Sequence, residues 1–111
     1  MKILIVDDNE SMLESLSIGL ERLGHSVGTA RNGVEALIKL KNNGFNVLLT
    51  DIRMPEMDGI TLAKKVIRNG SDIKIVLMSA YGFPKNLTGF IKIEKPFEIE
   101  DLLEVLGLKV N

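Results

Sequence analysis

Short aliphatic runs alternate with helical stripes along this chain. Ile3 to Val6 is an unbroken aliphatic run ending in Asp7-Asp8, the pattern of a strand buried on both faces. Leu13, Leu16, Leu20 and Leu23 follow at helical spacing. Asn9, or Ser11 with Glu14 three residues on, can open that helix, and Gly24 closes it. A second strand fits His25 to Ala30. Asn32-Gly33 then opens a helix carrying Ala36, Leu37 and Leu40, stopped by Asn42-Asn43-Gly44. Asn46 to Thr50 predicts a third strand that ends at Asp51. Beyond the Met54-Pro55 break, Asp58 can cap a helix with Leu62, Ala63, Val66 and Ile67 on one face. Asn69-Gly70 ends it. Ile73 to Met78 predicts a fourth strand and Phe90 to Ile93 a short fifth. Pro96-Phe97 lead into a last helix that turns Ile99, Leu102, Leu103 and Leu106 inward.

Alternating strands and helices imply an α/β fold, a doubly wound parallel sheet of five strands with right-handed crossovers. Ligands of such sheets sit beyond the carboxyl ends of the strands. Chemistry should therefore fall just after strands one, three, four and five. It does: Asp7 and Asp8, Asp51, Ser79 and Lys95 stand there in turn. Singly, each has a plainer reading as a turn, cap, loop or surface residue. Their shared edge is what gives them weight.

Composition narrows the choice. The 111 residues, 45% apolar and 26% charged, make one globular domain spanning 1–111. Fourteen basic against 15 acidic residues leave a net charge of −1, without the basic footprint of direct nucleic-acid binding. No cysteine is present, which excludes disulfides, thiolate metal sites and cysteine nucleophiles. The first apolar run is too short for a signal peptide or membrane span, so a cytoplasmic location is expected, with no membrane partner.

At the strand ends, two carboxylates ~4 Å apart repel by about 4 kcal/mol at an effective dielectric near 20. Three clustered acids would hold a proton or bind a cation. An oxygen-only site with room for water suits Mg²⁺. Lys95 can add a compact positive charge, and Ser79 can donate to a phosphoryl oxygen. Phosphoryl transfer needs mainly positioning and charge neutralisation, and a carboxylate is a competent nucleophile for it.

The motifs Ile5-Val6-Asp7-Asp8-Asn9-Glu10, Ala30 to Leu37 (ARNGVEAL), Leu48 to Gly59 (LLTDIRMPEMDG), Met78-Ser79-Ala80 and Glu94-Lys95-Pro96-Phe97 carry a family likeness. Over essentially its full length the chain resembles the receiver domains of two-component response regulators, the CheY-like superfamily. That resemblance implies a flavodoxin-like strand order 2-1-3-4-5. It also implies that Asp51 is phosphorylated from the phosphohistidine of a histidine kinase or phosphotransfer protein. Asp8 and Asp51 would contact Mg²⁺ directly, Asp7 through water, and the main-chain carbonyl of Arg53 would supply another ligand. Ser79 and Lys95 would bind the phosphoryl group, and the Lys95-Pro96 bond would be cis. Such a domain is a switch, not an enzyme, acting only on its own phosphorylation and dephosphorylation.

One stretch departs from the family. Lys95 follows Ser79 by 16 positions, short of the family's spacing by most of a helix. Tyr81 to Gly89 holds two glycines and a proline in nine residues, which is loop chemistry. The family's fourth helix is therefore expected to be reduced to one turn or replaced by a loop. Lys92 also stands where the family tends to place an aromatic that reports phosphorylation. Output is accordingly expected to be atypical, with phosphorylation ordering the Tyr81–Gly89 loop through Ser79. A phosphorylation-independent binding module is the alternative. A haloacid-dehalogenase-like phosphatase is disfavoured by Arg53, two positions after Asp51, where that family looks for a second aspartate.

The remaining candidates have structural readings. His25 fits a strand start, Met54 and Met57 fit packing, and Glu98, Glu100 and Asp101 favour a helix N-terminus. The chain ends soon after the last helix, so no effector domain is expected within these residues. It reads as a stand-alone regulator or the leading part of a longer protein, and Met1 at its head disfavours a receiver placed after a kinase.

Overall fold

In the computed structural model, which describes residues 1–41 and 43–108, the strands are β1 (Lys2–Val6), β2 (Ser26–Ala30), β3 (Val47–Asp51), β4 (Lys74–Ser79) and β5 (Ile91–Glu94). The helices are α1 (Glu10–Arg22), α2 (Gly33–Leu40), α3 (Gly59–Arg68) and α4 (Ile99–Val105). All strands are parallel, in the order β2-β1-β3-β4-β5.

The alternating side chains of each strand feed two cores. Ile3, Ile5, Val47, Leu49, Val76 and Met78 meet the α1 and α4 side, where Leu13, Leu16, Leu20, Leu102 and Leu103 are buried. Leu4, Val6, Leu48, Ile75 and Leu77 meet α2 and α3 through Ala36, Leu62, Ala63 and Val66. Because both faces are covered, the central strands read as continuous aliphatic runs rather than alternating ones.

Local signals set the helix starts. Asn9 caps α1, its side chain accepting the Met12 N–H (3.1 Å); between the two candidate caps, Asn9 is the one used. Asn32 caps α2 by accepting the Glu35 N–H (2.8 Å), and Asp58 caps α3 by accepting the Thr61 N–H (2.7 Å). At α4 the Asp101 carboxylate accepts the Glu98 N–H (3.0 Å), the structural role expected of that acidic turn. Asn42, part of the predicted stop after α2, lies outside the described residues, as do 109–111.

Two expected core positions are corrected. Leu23 is 43% exposed, because it is the C-cap of α1 and has left the helical stripe. Ile67 is 54% exposed, since it follows Val66 around α3 and the sheet needs only Leu62, Ala63 and Val66.

Between β4 and β5 no helix forms. A turn closes with the Leu87 N–H donating to the Pro84 carbonyl (3.1 Å), and Gly82 and Gly89 hold positive φ of 80° and 83°. Leu87 is buried, and Phe83 and Phe90 pack beside it in the α2–α3 core. Three loop side chains thus cover the sheet where a helix would otherwise lie.

Candidate functional site

The register of the sheet lines up the strand ends. Val6 sits beside Thr50, Asp51 beside Met78, and Ser79 beside Glu94, so the residues leaving β1, β3, β4 and β5 arrive at one edge. Asp7 stays tied to the sheet by donating its N–H to the Ala30 carbonyl (3.1 Å), and Lys95 does so through the Ser79 carbonyl (2.8 Å).

Asp7, Asp8 and Asp51 come together as expected, each offering a carboxylate oxygen within 4.8 Å of the others. Asp7 and Ser79 are 1% exposed and Asp51 is 8% exposed, while Asp8 faces solvent. Lys95 Nζ donates to Asp7 Oδ2 at 2.6 Å and lies 3.3 Å from Asp51 Oδ1. One ammonium therefore bridges two buried acids. The Lys95-Pro96 peptide is cis.

Burial, more than any neighbour, pushes the Asp51 carboxyl above the ordinary aspartate range; Lys95 pulls it back, and Asp7 and Asp8 add to the rise. The net upward direction means that the single lysine does not offset what the cleft imposes. An oxygen-only cluster short of positive charge suits a hard divalent cation.

Ser79 Oγ accepts the Tyr81 N–H at 3.1 Å, which leaves its own hydrogen to donate elsewhere. Arg53, two residues beyond Asp51, is exposed and stacks its guanidinium over the Tyr81 ring, 4.9 Å from the centroid. Together with Asp8, Asp58, Phe83 and Pro84 they line a groove that runs off the acidic cluster.

Some contributors were not singled out from the sequence. The Asn9 N–H donates to Asp7 Oδ1 (2.9 Å) and fixes that carboxylate; the Asx-turn signature of Asp-x-Asn after a strand carries the signal. Gly59 sits so close to the Asp51 main-chain carbonyl that a Cβ would overlap it. Glu56 at φ 70° carries the turn between Pro55 and Met57. Met57 lies across Gly33, and Met54 and Met57 pack on the α2–α3 core, in keeping with their packing role. His25 lies away from this edge, its Nδ1 3.1 Å from the Met1 amine.

The family described as response regulator receiver domain matches residues 3–107. Response regulator MprA of Mycobacterium sp. strain KMS is 33% identical over 93% of this chain and 47% of its own length. The chain thus spans about half the length of the MprA relatives it matches. Response regulator receiver protein CpdR of Brucella abortus strain 2308 is 33% identical over 92% of this chain and 90% of its own. Among solved structures, response regulator TrrA from Thermotoga maritima in complex with Mg²⁺-BeF superposes with a TM-score of 0.87 at 31% identity, covering 96% of each chain. Chemotaxis protein CheY4 of Vibrio cholerae gives 0.86 at 32% identity, over 96% of this chain and 95% of that one.

Proposed function

The chain belongs to the response regulator receiver domain family, the signalling modules of two-component systems, and from that premise we propose that it is a switch phosphorylated on Asp51. The observation that supports this most is the Lys95 ammonium held between Asp7 and Asp51, beside a third carboxylate.

The donor set fits Mg²⁺, being all oxygen, acidic in excess and open at Asp8. Asp7, Asp8, Asp51 and the main-chain carbonyl of Arg53 would hold it. When bound, the cation supplies charge that offsets the carboxylates and an incoming phosphoryl group.

A carboxylate oxygen of Asp51 attacks the phosphorus of a phosphohistidine on a histidine kinase or phosphotransfer protein. The O–P bond forms as the N–P bond breaks, and the imidazole leaves with the electron pair. Lys95 follows the charge onto the phosphoryl oxygens, and the Ser79 hydroxyl donates its free hydrogen to one of them. Water attacking phosphorus later breaks the Asp51 O–P bond, releasing inorganic phosphate and restoring the carboxylate, so the domain catalyses only its own phosphorylation and dephosphorylation. Residues 1–111 act as a single receiver domain, in the cytoplasm, with protein partners and without direct nucleic-acid binding.

Output is atypical, because the segment after Ser79 is a loop. When Ser79 turns to a phosphoryl group, its acceptance of the Tyr81 N–H weakens, and the change passes into residues 81–89. That same loop also favours a second reading, a receiver that binds partners without phosphorylation.

Mg²⁺ with beryllofluoride, the pair named in the TrrA complex, tests the reading by backbone NMR. The switch predicts shifts at Asp51, Ser79 and Lys95 that continue into residues 81–89. Unshifted spectra would favour the phosphorylation-independent module.

A further inference from the structure

β5 is an edge strand that pairs with β4 alone. In a parallel ladder, alternate residues direct both their N–H and their C=O to one neighbour. Lys95 donates to the Ser79 carbonyl, so Ile91, Ile93 and Lys95 serve β4. Lys92 and Glu94 therefore direct their main-chain groups outward. Their side chains are exposed on the α2–α3 side, since Ile91 and Ile93 turn to the α1–α4 core. No helix stands between β4 and β5.

The opposite edge is guarded. Lys39 Nζ donates to the Thr29 carbonyl of β2, one of that strand's outward groups. Among the described residues no side chain does the same for Lys92 or Glu94.

We infer that β5 pairs antiparallel with β5 of a second copy of this chain, with the two-fold axis beside Ile93. In that register Lys92 of each copy faces Glu94 of the other. Both residues have outward N–H and C=O groups, so each facing pair exchanges main-chain hydrogen bonds in both directions. Charge and ladder geometry select the same alignment. An axis at Lys92 would face lysine with lysine. An axis at Glu94 would face glutamate with glutamate and set Lys92 against Pro96, which has no N–H. Lysine on an edge ordinarily opposes pairing; Glu94 two residues on makes this edge complementary to itself. The assembly is isologous, and it joins two five-stranded sheets into one. So small an interface implies weak association.

Sedimentation equilibrium of the full chain from roughly 10 μM to 1 mM tests this, since that range brackets weak dimers. Wild-type protein is expected to shift from monomer to dimer with concentration. Lys92→Glu and Glu94→Lys each weaken association by roughly tenfold or more, which is about 1.4 kcal/mol, and the double variant K92E/E94K restores it. Wild-type protein that stays monomeric throughout, single variants that dimerise unchanged, or a double variant that fails to recover would each overturn the inference.

Discussion

Lys95 Nζ lies 2.6 Å from Asp7 Oδ2, although 88 residues separate the two in sequence. Asp7 is buried, and its other oxygen accepts the Asn9 N–H. The pair is thus enclosed and hydrogen-bonded at both carboxylate oxygens, which distinguishes it from the exposed Arg31–Glu10 pair, 2.7 Å apart.

Removing the cation leaves two buried acids facing each other. Lys95→Met is expected to cost about 3–5 kcal/mol in urea denaturation, since breaking a buried pair strands its partner's charge. Arg31→Met should cost under about 1 kcal/mol. Equal losses for the two variants would contradict this ranking.

Asp51 predicts a pH dependence. Its carboxyl is raised chiefly by burial, so the folded protein keeps that proton to higher pH than the unfolded chain does. The folded state then binds more protons between the two pKa values, and stability falls as pH rises through that window. The penalty is absent below the unfolded pKa and fully present above the folded one. Without divalent cation, Asp51→Asn should therefore be more stable than wild type at neutral pH. The gain should vanish on acidification below ordinary aspartate pKa values. Denaturation series at several pH values check this; a gain that grows toward acid would refute it.

Divalent cation should act in the opposite sense. Binding the folded state alone stabilises it by RT ln(1 + [L]/Kd), about 1.4 kcal/mol at ten times Kd. Mg²⁺ should raise the Tm of wild type, and Asp8→Asn should lose most of that rise because it removes the exposed member of the cluster. Exposed acids elsewhere would have to be responsible if Asp8→Asn responded to Mg²⁺ as wild type does.

Gly59→Ala should destabilise by about 1–3 kcal/mol, the range for overpacking. The Asp51 carbonyl that a Cβ would meet is main chain, and it already accepts the Thr50 hydroxyl (2.9 Å). Gly33→Ala meets only the flexible Met57 side chain and should cost less. Thermal denaturation of the two variants gives the comparison.

Much of this was legible beforehand because it rests on local chemistry. Apolar runs marked the buried strands, and Asn32 and Asp58 marked helix starts through groups that reach only three residues along the chain. The loop after Ser79 followed from Gly82, Pro84 and Gly89. Leu23 and Ile67 went astray because helical spacing continues on paper past the point where a helix caps or its face turns from the sheet. Gly59 against the Asp51 carbonyl and Arg53 over Tyr81 were hidden for another reason. They depend on how two loops approach in space, which no spacing along one segment encodes.

The acceptor role of Asp51 is tested most directly by intact mass after incubation with Mg²⁺ and a small acyl phosphate donor. The expected result is one added phosphoryl group on wild type, and none on Asp51→Asn or without the metal. An unmodified wild-type mass, or a phosphoryl group that persists in Asp51→Asn, would contradict it.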